Sequence, residues 1–176
     1  MFYLQYWNPV IAKRENLKPF YLSNSNQKIF KKILKGDILW IITGYPDYKN
    51  IVLCGKLFVE YSIDGKYLCS KILKEQYYIN NELKTNYYDL DKLDKRYYLI
   101  SNLNHINYLD IENSLNINEV LQDLTFIMSN NSIGKFQYNG YLIEPQSLRT
   151  VRQLSSDSNK ILEMIWKKNN YRFINF

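Results

Sequence analysis

The feature that most constrains the fold of this sequence is an uninterrupted apolar run, residues 38–43, directly after Gly36-Asp37. A turn dipeptide followed by consecutive branched and aromatic side chains is typical of a strand buried on both faces. Residues 44–47 predict the next turn, and residues 51–61 predict an antiparallel partner strand, with Gly55 at a bulge. The centre of the fold is therefore expected to be a β-hairpin covered on both sides.

Further strands and helices are predicted around this hairpin. Residues 2–7 favour a first strand, which Asn8-Pro9 ends because proline cannot donate to a strand ladder. Three helices are predicted from apolar residues at helical spacing or from polar residues that can cap a helix start. These helices are expected in residues 24–34 (beginning near Ser25), 113–128 and 156–167. Residues 10–23 are expected to be mostly connection, and residues 67–73 and 97–101 to be further strands.

The order strand, helix, several strands, helix predicts the α+β class, with an open, mainly antiparallel curved β-sheet or barrel and flanking helices. The chain has 176 residues, of which 46% are hydrophobic and 23% charged. These values predict one folded domain, residues 1–176, with a sizeable core. The sequence lacks an apolar stretch of about 20 residues and a basic leader, so no membrane association and a cytoplasmic location are expected.

The balance of charge favours an anionic partner. Lys and Arg number 23 against 17 Asp and Glu, a net charge of +6. A surplus of this kind is typical of proteins that bind polyanions, although a solvated surface produces it too. The basic residues cluster at Lys28, Lys31, Lys32 and Lys35, at Arg149 and Arg152, and at Lys167, Lys168 and Arg172.

The residue types that most enzymes use are scarce. His105 is the only histidine, and Cys54 and Cys69 are not grouped as metal ligands, so buried free thiols are expected. Almost none of the residues that form a nucleophilic triad are available. The expectation is a binding domain without catalytic residues, metal or cofactor.

Three segments together resemble the EVE-type domains of the PUA-like superfamily. They are the opening residues 3–7, Ser25-Asn26-Gln27 followed by residues 36–43, and the late residues 146–149 before the final helix. The resemblance implies a small open β-barrel that binds DNA or RNA carrying a modified base. Some such domains serve as specificity modules beside nucleases in modification-dependent restriction systems, which implies a nuclease as a second partner. This sequence departs from the family at residues 25–27, where the family has a tryptophan and an Arg/Asn-rich stretch.

A nucleobase pocket needs a ring for stacking and amide or hydroxyl groups for the base edge. The residues that supply these types near the resembling segments are Trp7, Ser25, Asn26, Gln27, Trp40, Thr43 and Tyr45. Trp7 is favoured as the stacking platform, because it ends its strand where a side chain reaches a rim. For the others the alternatives stay open: Asn26 as a helix cap, Gln27 as a solvated side chain and Trp40 as core.

Arg149 and Arg152 are candidates for holding a phosphate with paired guanidinium groups, and an ion pair with an Asp or Glu of the chain is the alternative. Two other functions also remain open. The related ASCH domains include hydrolases that use Lys, Thr and Glu, for which Lys56, Thr43 and Glu60 are available. A protein-interaction domain, with the Tyr-rich residues 74–118 as its contact surface, is the third possibility.

Overall fold

The protein is an α+β fold built on an eight-stranded mixed sheet that curls into a half-barrel. The computed structural model describes residues 1–17, 19–47, 49–67, 95–101, 107–139, 142–143 and 145–173. The strands are β1 (Phe2–Trp7), β2 (Pro19–Phe20), β3 (Leu22–Ser25), β4 (Ile38–Gly44), β5 (Ile51–Asp64), β6 (Tyr97–Ser101), β7 (Asn107–Tyr108), β8 (Thr125–Ile127), β9 (Ile133–Lys135), β10 (Tyr138–Asn139), β11 (Leu142–Ile143) and β12 (Arg152–Leu154). The helices are α1 (Pro9–Arg14), a 3₁₀ helix (Lys28–Lys32), α2 (Asn118–Leu121), α3 (Pro145–Leu148) and α4 (Ser156–Phe173).

The strand order of the main sheet is β3-β6-β5-β4-β1-β12-β8-β9. Only β1 and β4 pair in parallel, with Phe2 opposite Ile38 and Trp7 opposite Thr43, and the other neighbours in this order are antiparallel. The prediction of a curved, mainly antiparallel sheet is thus confirmed, apart from the one parallel pair at its centre. The short strands β2 with β7 and β10 with β11 form two separate ladders.

Strand β4 is buried on both faces, as the apolar run predicts. Leu39 and Ile41 lie on the first face, in a cluster that includes Tyr3, Phe20, Phe30 and Leu99. Trp40 and Ile42 lie on the second face, in a cluster that includes Leu4, Leu121, Phe126, Leu162 and Trp166. The two clusters form because successive side chains of a strand point to opposite sides of the sheet.

The predicted strands at residues 2–7, 38–43 and 51–61 and the C-terminal helix are confirmed. Helix α4 covers the second face through Leu162 and Trp166. Within the part of the chain that the structure describes, no helix is long and apolar enough to span a bilayer.

Gly55 allows close packing at a bulge in β5. The β4–β5 register shifts between Ile41 and Ile42, next to this residue, as predicted. A Cβ atom at Gly55 would lie 2.8 Å from Cδ2 of Leu109 and 3.2 Å from Cβ of Ile41. The absence of a side chain therefore lets β5 pass close to its covering residues.

Three predicted elements are wrong. Residues 22–25 form β3, because Asn24 and Ser25 pair with β6, and only a 3₁₀ helix follows. In residues 113–128 a single helical turn, α2, precedes strand β8, whose Phe126 pairs with Leu154. Residues 10–23 contain α1 and β2 rather than mostly connection. In the first two cases apolar spacing suited a helix, but pairing with a distant strand decided the local structure.

The remaining strand prediction, residues 97–101, is confirmed as β6. Most of the strand predicted at residues 67–73 lies outside the described residues, as do Cys69, His105 and most of the Tyr-rich middle. Cys54 is a buried free thiol, as expected, and burial raises its pKa well above the ordinary value.

Candidate functional site

The curled sheet brings its edge strand β3 and the turn after it against the interior strand β1 and the segment before β12, and we call this line of contact the seam. It consists of residues 5–7 at the end of β1, residues 23–28 from β3 into the 3₁₀ helix, and residues 149–151 before β12. Three strands separate β1 from β3 in the sheet, so contacts across the seam exist only because the sheet curls. Among the described pairings, β12 pairs with Tyr3 and Leu4 of β1, and residues 149–151 lead into this ladder.

Gln5 links β1 to β3 across one part of the seam. Its side chain is 8% exposed, and its Oε1 accepts a hydrogen bond of 2.6 Å from the hydroxyl of Ser23. Its Nε2 donates to the backbone oxygen of Asn24 at 3.2 Å. Sequence reasoning did not select Gln5, although a polar residue on the strand face shared by Tyr3 and Trp7 was a signal that it would be buried with a partner.

Gln27 fastens the second part of the seam. Its Nε2 donates to the backbone oxygen of Arg149 at 2.9 Å, and its Oε1 accepts from the backbone N–H of Val151 at 2.9 Å. The two partners define the orientation of the amide, since only nitrogen can donate and only oxygen can accept. The alternative that Gln27 is merely solvated is therefore wrong.

The neighbours of Gln27 differ in their exposure. Ser25 is buried, and its hydroxyl accepts a hydrogen bond from the backbone N–H of Gln27 at 3.1 Å. Asn26 is exposed, and its side chain has no hydrogen-bond partner among the described residues. The 3₁₀ helix begins after Gln27 without a side-chain cap, so the alternative of Asn26 as a helix cap is wrong. Asn26 thus offers a donor and an acceptor to solvent.

Trp7 lies at the end of β1, half-buried against the cluster of the first face. Its ring meets Phe20 edge to face, with centroids 5.4 Å apart and an interplanar angle of 89°. Its backbone oxygen accepts a hydrogen bond of 2.9 Å from the hydroxyl of Thr43, which is fully buried. Tyr45 is half-buried against the same cluster, and the ammonium of Lys13 lies 5.8 Å from its ring centroid. Of these aromatic side chains, Trp7 and Tyr45 are the two that are partly exposed.

Trp40 belongs to the core of the second face. Its side chain is 0% exposed, and its ring contacts Trp166 edge to face at 5.9 Å. Its indole N–H donates to Oδ1 of Asn159 at 2.9 Å. Of the two roles open for Trp40, the structure supports the core role.

Arg149 and Arg152 point to different surroundings. Arg149 is exposed, and its guanidinium has no partner among the described residues. The guanidinium of Arg152 lies 4.2 Å from the ring centroid of Phe126 and donates to the backbone oxygen of Ser147 at 3.0 Å. Burial lowers the pKa of Arg152. The described partners of Arg152 are thus a ring and a carbonyl rather than an Asp or Glu, whereas Arg149 is exposed.

The lysines in and just after the 3₁₀ helix divide into two kinds. The ammonium of Lys31 lies 4.8 Å from the ring centroid of Tyr97, and Lys35 forms an ion pair with Glu60. Lys28 and Lys32 are exposed and have no ion-pair partner in the described ranges. Together with Arg149, they are three exposed cations without an ion-pair partner in the described ranges; Lys28 and Arg149 belong to the seam, and Lys32 lies in the 3₁₀ helix beyond it.

The three residues considered for a hydrolase site, Lys56, Thr43 and Glu60, are not brought together. Lys56 pairs with Trp40 on the second face, where its ammonium contacts Glu163 at 2.6 Å. Thr43 faces the first face, since it lies three positions after Trp40 in β4. Glu60 is engaged by Lys35. Within the described ranges no group of three His, Cys, Asp or Glu side chains is placed to hold a metal ion.

Comparisons of the chain with protein-family models, with curated proteins and with solved structures found no match. The geometry of the seam is therefore the basis on which a function is inferred.

Proposed function

We propose that this chain is a nucleic-acid-binding module with a PUA-like half-barrel, and that it recognises a modified base of DNA or RNA at the seam. In this proposal Trp7 supplies the stacking surface, Asn26 contacts the base edge, and Lys28, Lys32 and Arg149 contact phosphates. A nuclease acting on the recognised nucleic acid is the partner that the family resemblance suggests. The domain itself supplies recognition rather than catalysis.

One observation carries the proposal. Through Gln27, the turn that holds Asn26 and the segment that holds Arg149 are joined, although the two residues are far apart in sequence. Asn26 is an exposed amide, and Arg149 is an exposed cation. An amide offers the mixed donor and acceptor pattern of a base edge, and a guanidinium binds phosphate oxygens. The seam therefore presents both chemistries at neighbouring positions.

The charge of the chain agrees with this role. The net charge is +6, and the three exposed cations without an ion-pair partner in the described ranges, Lys28, Lys32 and Arg149, come from two separate segments at or next to the seam. Cations that are free of carboxylate partners release the counterions of a polyanion when they bind it, which makes binding depend on salt. Residues already paired, such as Lys35 with Glu60, contribute less to this effect.

The direct test is fluorescence anisotropy of the purified chain with labelled oligonucleotides, single- and double-stranded, with and without modified bases. Measurements at about 50 and 200 mM salt give the dependence of affinity on salt. We expect binding that weakens as salt rises and that prefers one modified base over its parent. Binding that is absent, or equal for all oligonucleotides and insensitive to salt, would contradict the proposal and favour the protein-interaction alternative.

Arg149→Ala is expected to weaken binding to all oligonucleotides uniformly, because a phosphate contact carries no sequence information. The slope of log affinity against log salt should become shallower by about 0.7 to 0.9, the effect of one lost phosphate contact. Lys167→Ala removes an equal charge from α4, on the other side of the sheet, and should leave the slope unchanged. An equal change in both variants would mean that net charge alone determines binding.

Asn26→Ala is expected to reduce the preference for the modified base by about 1 to 3 kcal/mol, the usual contribution of a well-placed base contact. The affinity for the unmodified parent should change less, because stacking and phosphate contacts remain. Gln122→Ala, which removes an exposed amide after α2, is the matched control. An unchanged preference in folded Asn26→Ala would remove this residue from the base contact.

A further inference from the structure

The Gln27 side chain forms both of its hydrogen bonds with the backbone of a segment distant in sequence. It donates to the oxygen of Arg149 and accepts from the N–H of Val151, two groups on either side of Thr150. A single amide thus spans the two ends of a three-residue segment. The side chain of Gln27 is only half-buried and belongs to neither apolar cluster, so its contribution to the core is small.

The segment 149–151 is held at its other side as well. The side chain of Val151 is buried in the cluster of the first face. The guanidinium of Arg152 donates to the oxygen of Ser147 and packs on Phe126. In contrast, Arg149 and Thr150 are exposed. Among the described contacts, the two hydrogen bonds of Gln27 therefore hold the exposed part of this segment against the turn that contains Asn26.

We infer that Gln27 is a positioning residue, which holds the backbone of Arg149 so that its guanidinium meets a phosphate while Asn26 meets the base. The sequence favours Gln27 itself as a possible base contact, but its amide is engaged by two backbone groups. Because phosphate binding here belongs to the proposed function, this role of Gln27 rests on that function. Holding the segment in place before binding reduces the ordering that binding would otherwise require.

The inference makes Gln27 and Arg149 one unit. Removing the amide should have the effect of removing the guanidinium, because an Arg149 that is no longer held loses its phosphate contact. Removing both should cost little more than removing one, since residues that act through each other are not additive. Base preference should stay as in the wild type, because Asn26 is retained.

The experiment uses Gln27→Met, which keeps the length of the side chain and removes both hydrogen bonds, in the full chain. We expect uniformly weaker oligonucleotide binding and a salt slope shallower by about 0.7 to 0.9, as for Arg149→Ala. The double variant should match either single variant. In hydrogen exchange, the amide of Val151 should lose protection. Gln122→Met is the control for loss of an amide at a site away from the seam.

A second variant separates positioning from a change in packing. Gln27→Glu keeps the shape of the side chain and an acceptor for Val151, removes the N–H donated to Arg149 and adds a negative charge. Compared with Gln122→Glu, which introduces the same charge after α2, it should still make the salt slope shallower.

Three outcomes would overturn the inference. A wild-type slope in folded Gln27→Met would show that Arg149 needs no positioning. A reduced base preference would show that Gln27 reads the base directly. Additive effects of Gln27→Met and Arg149→Ala would show that they act separately. Absence of salt-dependent binding by the wild-type chain would instead overturn the proposed function, and the positioning role with it, so the two failures are distinguishable.

Discussion

Trp40→Ala is expected to lower the free energy of unfolding by about 3 to 5 kcal/mol, the usual cost of truncating a large buried aromatic side chain. Trp40 is 0% exposed and lies between the sheet and α4, where it contacts Trp166 and Asn159. Truncation would leave a cavity between the sheet and the helix and would leave Oδ1 of the buried Asn159 without its donor. Urea unfolding followed by circular dichroism measures the loss.

Trp40→Phe tests the same site more gently. It keeps an aromatic ring in the cluster and removes the indole N–H, so about 1 to 3 kcal/mol should be lost for the unsatisfied partner. Because Trp40 lies on the second face, this variant should bind oligonucleotides as the wild type does. A decrease in unfolding free energy below about 1 kcal/mol for Trp40→Ala would contradict the core assignment. Weaker oligonucleotide binding by folded Trp40→Phe would mean that Trp40 belongs to the binding site after all.

Trp7→Ala is expected to weaken binding of all oligonucleotides by about 1 to 3 kcal/mol, the contribution of stacking one base on an aromatic ring. The preference between modified and parent base should persist, because Asn26 is unchanged. Trp7 is half-buried at the end of β1, so its ring has both a packed and an accessible part. Anisotropy titrations of wild type and variant at one salt concentration measure the difference.

The control for Trp7 has to separate stacking from packing, since the ring also contacts Phe20. Trp7→Phe keeps a ring at the position and should lose less affinity than Trp7→Ala. Trp40→Phe serves as a destabilised but binding-competent reference. If folded Trp7→Ala binds like the wild type, Trp7 is only a packing residue, and the seam has no stacking platform at that position.

The seam closes through side-chain amides rather than through a continuous backbone ladder. Gln5 and Gln27 each make one bond as donor and one as acceptor, and both join β3 or its following turn to the opposite side of the half-barrel. Unlike a backbone ladder, these links in the described part of the chain come from two particular side chains. They also leave the neighbouring residues, Asn26 and Arg149, free to face solvent.

The sequence by itself determined the centre of the sheet and the last helix. The apolar run at residues 38–43, its hairpin partner and the amphipathic spacing in residues 156–167 each lead to one local structure. A short continuous apolar run bounded by turn residues and an apolar stripe of period 3.6 are patterns that neighbouring residues specify without reference to distant ones. Asn8-Pro9 likewise limits β1 locally, because proline cannot continue the ladder.

Only the tertiary structure decided the edges of the sheet and the chemistry of the seam. Residues 22–25 and 125–127 became strands because β6 and β12 offered them unpaired backbone groups. Arg149 and Arg152 diverged because Arg152 faces Phe126 across the sheet, whereas Arg149 precedes the strand. Gln27 bonded to a segment more than a hundred residues away. Spacing along the chain specifies which face a side chain takes, but its partner depends on how the sheet curls, and that is a property of the whole fold.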